Sequence, residues 1–294
     1  MTTEKQWAGT TYGTSRMHRW LIAILRVIDV RVVYVFSYIF VVPVCYIVRG
    51  KGRSAIYHFM RERMHYGVLR SLWMVFVNHC QFAEVVIDRF AMYAGKRLPM
   101  QCDGYEHFER LASSEKGFVM LSSHVGNYEL AGYTLVSANK SMYALVFSGE
   151  KDSVMANRSR MFSHTNIHMI GLKEDMSHLF ELYQVLRDGH IVSMPADRVF
   201  GSKKHVTEQL FGSEAHLPEG PFKVATLCEM EVLTVYVMKT GWRGYTVYIE
   251  HLDYDGSSRD KGMHELSHLF ATSLESMVSR HPAQWYNYFE FWQQ

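Results

Sequence analysis

The sequence has few of the features that mark secreted, disulfide-rich or nucleic-acid-binding proteins. It contains only four cysteines, at Cys45, Cys80, Cys102 and Cys228. None has C-x-x-C spacing, so we expect no disulfide framework and a reducing, cytoplasmic setting. The net charge of +2 is small and no RNA- or DNA-reading motif occurs, which argues against a nucleic-acid partner. We also expect no secretory signal peptide, because no small-residue cleavage site follows an apolar core at the polar start.

Long apolar stretches are present near the start of the chain. Val32 to Val48 carries no charged residue, although Pro43 interrupts it, and about 20 apolar residues are typical of a bilayer-spanning helix. Basic residues follow at Arg49, Lys51 and Arg53, which favours the cytoplasmic face of a membrane. The alternative is a pair of buried core helices. We favour membrane contact, and the pattern does not separate a full span from a half-inserted hairpin.

The rest of the chain alternates strand and helix patterns. This order predicts an α/β fold with a mainly parallel central sheet flanked by helices, behind an N-terminal helical, membrane-associated extension. Strands are predicted at 118–121, 142–147, 168–171, 191–194, 232–238 and 245–249, and helices at 127–137, 153–162, 176–186, 219–227 and 259–279. Residues 197–217 are predicted to be a long irregular loop, which is usually functional in a compact domain. We assign residues 1–95 to the membrane-contact region and 96–294 to a catalytic domain.

His124 and Glu129 lie at a predicted seam between a strand and a helix. The carboxyl ends of parallel strands and the loops after them form the ligand face of an α/β sheet. The bend after His124 would let Glu129 accept a hydrogen bond from one imidazole nitrogen and fix the tautomer. The other nitrogen would then serve as a general base on a substrate hydroxyl or amine.

The segment "SSHVGNYELAG" resembles the H-x-G-N-W-E block of the bacterial lipid A late acyltransferases, within the wider lysophospholipid acyltransferase superfamily. Three further segments resemble family blocks in the same order along the chain. They are "MPADRVFG", in which Asp197 matches the first aspartate of the family's segment, "QLFGSEAHLPEGPFKVATL", and the terminal "HPAQWYNYFEFW". The similarity extends over nearly the whole chain.

The resemblance implies transfer of a fatty acyl group from a thioester of acyl carrier protein or coenzyme A to a hydroxyl or amine of a membrane lipid. His124 is the implied base and Glu129 its orienting partner. The reaction needs no metal and no cofactor beyond the acyl co-substrate. The implied location is the cytoplasmic face of the bacterial inner membrane. The residues implied or expected to contact substrate are Asn127, Asp197, Arg198, Glu219 and Gly220.

Two positions depart from the lipid A enzymes. The arginine that they commonly carry after the second strand is replaced by Ser148, Gly149 and Glu150, and their "VVPV" proline corresponds to Thr234. "LPEGP" also resembles the "FPEGT" block of glycerolipid acyltransferases, so Glu219 and Gly220 are expected near an acceptor phosphate. A plain helix start explains the same residues equally simply. The acceptor, the acyl length and the choice of donor remain open.

A second motif, "MHELSHLF", contains His264, Glu265 and His268 in the H-E-x-x-H spacing of zinc metalloproteases. Both histidines lie beside the apolar stripe of a predicted helix, and no H-x-x-G-x-x-H extension follows. We therefore interpret them as edge residues of a packing helix. A zinc-dependent hydrolase built on this motif and a catalytically silent lipid-binding relative are the alternatives to the acyltransferase.

Overall fold

The computed structural model describes residues 14–48, 50–146, 166–173, 175–199, 204–242, 244–256 and 259–293. Its helices are α1 (Ser15–Val27), α2 (Val30–Phe36), α3 (Val42–Val48), α4 (Gly50–His58), α5 (Val68–Tyr93), α6 (Tyr105–Ser113), α7 (Ala131–Thr134), α8 (His178–Arg187), α9 (Glu219–Leu227) and α10 (Arg259–Arg280). Its strands are β1 (Met100–Asp103), β2 (Phe118–Ser122), β3 (Met142–Val146), β4 (Ile167–Gly171), β5 (Ile191–Pro195), β6 (His205–Leu210), β7 (Ser213–Pro218), β8 (Glu231–Lys239) and β9 (Tyr245–Leu252).

Seven of these strands form one central sheet in the order β1-β9-β8-β2-β5-β3-β4. Only β8 and β9 pair antiparallel, and the other neighbours are parallel. The predicted α/β fold with a mainly parallel sheet is therefore confirmed, and every predicted strand is present. The central strand β2 is apolar and buried because its alternate side chains enter hydrophobic clusters on opposite faces of the sheet.

The prediction of an irregular loop over residues 197–217 is wrong. Most of that stretch is an antiparallel hairpin, in which β6 and β7 pair from His205 opposite Pro218 to Leu210 opposite Ser213. In β6 the side chains of Val206, Glu208 and Leu210 are buried and their neighbours are exposed. The buried Glu208 interrupts the apolar alternation that normally identifies such a strand, which explains the error.

The predicted helix over 127–137 is also wrong in extent. A 3-10 turn, Tyr128–Leu130, is followed only by the short helix α7. Gly132 and the β-branched Thr134 lower helix propensity within this stretch, and the backbone leaves the helical region at Leu135. The predicted helix over 153–162 and the departure at Ser148–Glu150 lie outside the described residues.

The apolar segment near the start is helical from Val30 to Val48, with a π-helical turn between α2 and α3. Its mean hydropathy is 2.0 and only 22% of its most apolar window is buried, so it is long and apolar enough to cross a membrane. Such a segment is consistent with membrane association. It is also fixed to the protein, because α1 and α2 pack against the C-terminal half of α5 through Leu25, Tyr34 and Phe90.

A buried ionic cluster joins this segment to the central sheet. The ammonium group of Lys239, at the end of β8, lies 2.6 Å from Asp88 and 3.2 Å from Glu84, both on α5. The same ammonium donates to the hydroxyl of Tyr34 at 2.9 Å, and that hydroxyl in turn donates to Asp88. These contacts join residues before position 95 to a residue after it, and position 95 is where we place the boundary between the membrane-contact region and the catalytic domain. The boundary itself stays a prediction.

Candidate active site

The pairing of β2 with β5 brings His124 and Asp197 together. The two strands are parallel neighbours, and their register sets Ser122 opposite Pro195. The backbone N–H of Ala196 donates to the carbonyl of Ser122 at 2.9 Å, which continues the pairing one residue further. His124 and Asp197 each follow two residues after the paired ends, so they emerge side by side at the carboxyl edge of the sheet. This edge is where α/β sheets bind their ligands.

Two hydrogen bonds hold His124 to Asp197. The backbone N–H of His124 donates to Oδ2 of Asp197 at 2.9 Å, and the ring Nδ1 lies 2.8 Å from Oδ1. An ionised carboxylate only accepts hydrogen bonds, so Nδ1 carries the ring hydrogen and Nε2 has the lone pair. The Asp197 side chain is fully buried, whereas 23% of the His124 side chain remains exposed. Asp197 thus fixes the imidazole on its buried side, while part of the ring remains accessible to a substrate.

The surroundings favour a neutral His124 beside an ionised Asp197. Burial, followed by the positive charge of Arg198, lowers the pKa of His124 below its ordinary value of 6.5, although Asp197 acts in the opposite direction. Burial alone would raise the pKa of Asp197, but the contact with His124 and the charge of Arg198 hold it below its ordinary value. A neutral imidazole held by a carboxylate is the resting form of a general base.

The partner of the His124 ring differs from the prediction. Glu129 was expected to hold one imidazole nitrogen, but the carboxylate at Nδ1 belongs to Asp197. The carboxylate of Glu129 lies 3.1 Å from the guanidinium of Arg89 on α5, and both side chains are largely buried. The short 3-10 turn explains the change, because it carries Glu129 towards α5. A catalytic role for Glu129 remains a prediction.

The loop between His124 and the 3-10 turn depends on one glycine. Gly126 has φ +64, and a Cβ atom there would lie 2.1 Å from the carbonyl oxygen of Val237. The close approach allows the next N–H, of Asn127, to donate to that carbonyl at 2.8 Å. The Asn127 side chain is buried, with its amide nitrogen 3.5 Å from the carbonyl of Val85 and 3.5 Å from the hydroxyl of Tyr245. These contacts anchor the loop, and substrate binding by Asn127 remains a prediction.

Arg198 is bound by the C-terminal segment. Its Nε donates to Oδ1 of Asn287 at 2.9 Å, and its Nη2 donates to the carbonyl of Tyr286 at 2.8 Å. The sequence predicted a substrate-binding role for Arg198, which no observed contact tests.

Comparison with known proteins decides the family. The model of the family described as bacterial lipid A biosynthesis acyltransferase matches residues 65–293. The chain belongs to this family. The expected resemblance is thereby confirmed, and an acyltransferase of lipids is the activity that the family supports.

Two other comparisons give no further information on the activity of this acyltransferase. No curated protein matches its sequence. Among solved structures, it is similar to the crystal structure of the 1-acyl-sn-glycerophosphate (LPA) acyltransferase PlsC from Thermotoga maritima, at 12% identity and a TM-score of 0.39, over 92% of this chain and 99% of that one. At that score we draw no conclusion from the likeness.

In this acyltransferase, Glu219 and Gly220 occupy the first turn of α9, which begins and ends where the sequence predicts. The carboxylate of Glu219 lies 2.8 Å from the ammonium of Lys223, one turn along the same helix. That contact is typical of a solvated helix start. A role in binding an acceptor phosphate stays a prediction.

The H-E-x-x-H motif of the acyltransferase lies on α10. His264 and His268 are exposed, and Nδ1 of His268 lies 3.4 Å from Glu208. Glu265 accepts a hydrogen bond from the backbone N–H of Asp255 at 2.9 Å. Within the described part of the chain, no three His, Cys, Asp or Glu side chains are placed to hold a metal ion. The geometry gives the zinc hydrolase no support.

Sequence reasoning missed two contributors to the site. Arg89 lies near the C-terminal end of α5, where nothing in its local sequence distinguishes it from a solvated residue. The C-terminal segment supplies backbone partners, and backbone groups leave no signature in the sequence. The common position of His124 and Asp197 after strand ends was the only available signal for their pairing.

Proposed function

We propose that this protein transfers a fatty acyl group from an acyl thioester, of acyl carrier protein or coenzyme A, to a hydroxyl or amine of a membrane lipid. The observation that carries the proposal is the contact of 2.8 Å between Nδ1 of His124 and Asp197, at the ligand edge of the sheet. Family membership supplies the reaction class, and this pair supplies a base for it.

The proposed reaction follows from the fixed tautomer. Nε2 of His124 takes the proton of the acceptor O–H or N–H as the acceptor atom attacks the thioester carbonyl carbon. The C–S bond of the resulting tetrahedral intermediate breaks, and the thiolate leaves with the proton from Nε2. Asp197 stabilises the imidazolium between these two transfers, in the manner of the aspartate in a serine protease triad. No enzyme nucleophile is required, since the acceptor itself attacks.

The first expected result concerns pH. Because the pKa of folded His124 is lowered below 6.5, the neutral base predominates at pH 7 and is lost as pH falls through that lowered value. We expect kcat/KM to decline towards acid pH with a midpoint below pH 6.5. Initial rates from pH 4.5 to 8, with a stability check at each pH, measure this profile. A decline centred above 6.5 would contradict the proposed environment of His124.

We propose that the protein works at the cytoplasmic face of the inner membrane through one apolar surface, which we call the apolar face. The large exposed side chains of this face lie on α3 and the first turns of α5: Val44, Ile47, Val48, Val68, Leu69, Leu72 and Trp73. The ring of Phe76 joins the two helices, since it lies 6.4 Å from Tyr46 and 5.9 Å from Trp73. Arg53 over Tyr46 and Arg70 over Tyr66 add the positive charge that anionic headgroups attract.

A second expected result tests the apolar face. Trp73→Glu should reduce binding to phosphatidylglycerol-containing vesicles by roughly tenfold or more, because a large apolar contact is lost and a like charge faces the lipid. Vesicle flotation of the purified full chain measures the partition. Tyr105→Glu is the matched control, since Tyr105 is an exposed aromatic residue at the start of α6. Equal binding by the two variants would contradict a contact of Trp73 with the membrane and thus the α5 part of the apolar face.

The proposed activity itself is tested by incubating the purified protein with a labelled acyl thioester and extracted bacterial membrane lipids. Mass spectrometry should detect a lipid that gains one acyl chain, and free thiol should appear in equal amount. Activity that a chelator removes, with zinc bound stoichiometrically, would favour the hydrolase. Lipid binding with no transfer from either donor would favour the catalytically silent relative.

A further inference from the structure

The C-terminal segment after α10 lies directly against the loop that carries His124. The backbone N–H of Gly126 donates to the carbonyl of Gln284 at 2.8 Å, and the N–H of Tyr286 donates to the carbonyl of His124 at 3.2 Å. The opposite side of the loop is bonded to β8 through Val237. The catalytic loop is therefore held between the sheet and the C-terminal segment, like a strand between two neighbours.

The same segment binds the guanidinium of Arg198, whose positive charge acts on both His124 and Asp197. Arg198 directly follows Asp197, and its guanidinium binds the side chain of Asn287 and the carbonyl of Tyr286. The guanidinium carbon also lies 5.3 Å from the centroid of the Phe289 ring. Since Tyr286 binds the His124 carbonyl as well, the contacts form a closed ring. It runs from His124 through Asp197, Arg198 and the C-terminal segment back to His124.

Asn287 is the side chain in this ring that holds Arg198. It is buried, with 4% of its surface exposed, and its Oδ1 is the acceptor for the guanidinium Nε. A hydrogen bond to a charged group contributes more than a neutral one, so its loss would free the guanidinium to move. The titratable groups that face the His124–Asp197 pair or its neighbour Arg198 are Tyr128, Tyr236 and Tyr288, whereas Arg89 and Glu129 pair with each other. Arg198 is the cationic residue that directly follows Asp197 in the chain.

We propose that Asn287 is a positioning residue that fixes the Arg198 guanidinium beside the His124–Asp197 pair and thereby sets the pH range in which His124 acts as a base. The inference rests on the proposed function of His124. A positive charge held near the imidazole opposes its protonation. When Asn287 no longer holds Arg198, the imidazole accepts a proton at higher pH, and less of the base is present near neutrality.

The chain offers a matched control for this proposal in Asn78 of α5. Asn78 is fully buried, and its amide donates to the carbonyls of Ala283 and Trp285 at 2.9 and 3.0 Å. It therefore anchors the same C-terminal segment as Asn287, but through the backbone and at a distance from the guanidinium. Loss of Asn78 weakens the attachment of the segment and leaves the hydrogen bonds to Arg198 in place.

The experiment compares the pH dependence of kcat/KM in wild type, Asn287→Ala and Asn78→Ala. We expect the acid limb of Asn287→Ala to move to higher pH by roughly half a unit or more, and that of Asn78→Ala to stay in place. Arg198→Gln should shift the limb in the same direction, and Asn287→Ala should add nothing in that background. If Asn287→Ala does not accumulate as folded protein, Asn287→Ser replaces it, because the shorter side chain cannot reach Arg198.

An unchanged acid limb in Asn287→Ala, or an equal shift in Asn78→Ala, overturns the positioning role. A shift in Asn287→Ala that is fully retained on top of Arg198→Gln also overturns it, since the effect would not pass through the guanidinium. Failure of the underlying function has a different signature. In that case His124→Ala transfers acyl groups at the wild-type rate, whatever the profile of the Asn287 variant.

Discussion

His124→Ala is expected to lower kcat for acyl transfer by about 10²–10⁴-fold, the usual contribution of a positioned general base. The fold should survive, because the imidazole is held at the rim and 23% of its side chain is exposed. KM for the acyl thioester should change little, since the lost interaction belongs to the reaction step and not to binding. Single-turnover rates and product mass measured on the purified variant test this expectation.

His168→Ala is the matched control for that loss. His168 is an exposed histidine on β4, and its ring stacks on Tyr143 with the centroids 4.7 Å apart. The His168→Ala variant should retain full activity. An His124→Ala variant as active as His168→Ala would remove His124 from the mechanism.

Asp197→Asn should lower activity nearly as much as His124→Ala, because an amide at this position can donate to Nδ1 and stabilise the wrong tautomer.

Lys239→Met is expected to destabilise the protein by roughly 3–5 kcal/mol, the largest stability effect we predict. The substitution keeps most of the side-chain volume but leaves the fully buried Asp88 and the nearby Glu84 without their cation. The hydroxyl of Tyr34 also loses its donor, so the attachment of α2 to α5 and the sheet should weaken. Urea unfolding of the full chain in a mild detergent, followed by circular dichroism, gives the change in unfolding free energy.

Lys223→Met provides the comparison for Lys239. Lys223 also pairs with a carboxylate, Glu219, at 2.8 Å, but on the surface of α9. Exposed pairs of this kind contribute about 0–1 kcal/mol. If both variants unfold at the same urea concentration, the buried cluster does not join the N-terminal helices to the sheet in the way described.

The sequence allowed the sheet to be predicted because its strands are apolar and separated by helices of ordinary length. The sequence did not allow us to predict which strands, distant along the chain, would pair with each other. The neighbours β2 and β5 are separated by β3 and β4 along the chain, so the contact between His124 and Asp197 depends on a strand order that local pattern does not encode. The loop motif therefore indicated His124 as a candidate base, but it suggested Glu129 as the ring partner where the structure has Asp197.

The remaining errors have local physical causes. Gly126 has a φ of +64, and Glu129 follows in a short 3-10 turn, where its carboxylate pairs with Arg89 of α5. A left-handed glycine and an ordinary helix start look alike in a sequence, although they aim the following side chains differently. The C-terminal segment contacts the His124 loop through backbone groups, so its aromatic side chains were visible in the sequence while its contribution to the candidate site was not.

The most direct test of the His124–Asp197 pair is the pKa of His124. It can be measured by NMR titration of ring-labelled histidine in wild type, Asp197→Asn and Glu129→Gln. The resonance of His124 is assigned by its loss in His124→Ala. Asp197 favours the protonated imidazole through its charge and its hydrogen bond, so Asp197→Asn should lower the pKa of His124 further. Glu129→Gln should leave it near the wild-type value. A pKa that falls in Glu129→Gln and stays unchanged in Asp197→Asn would contradict the His124–Asp197 pair.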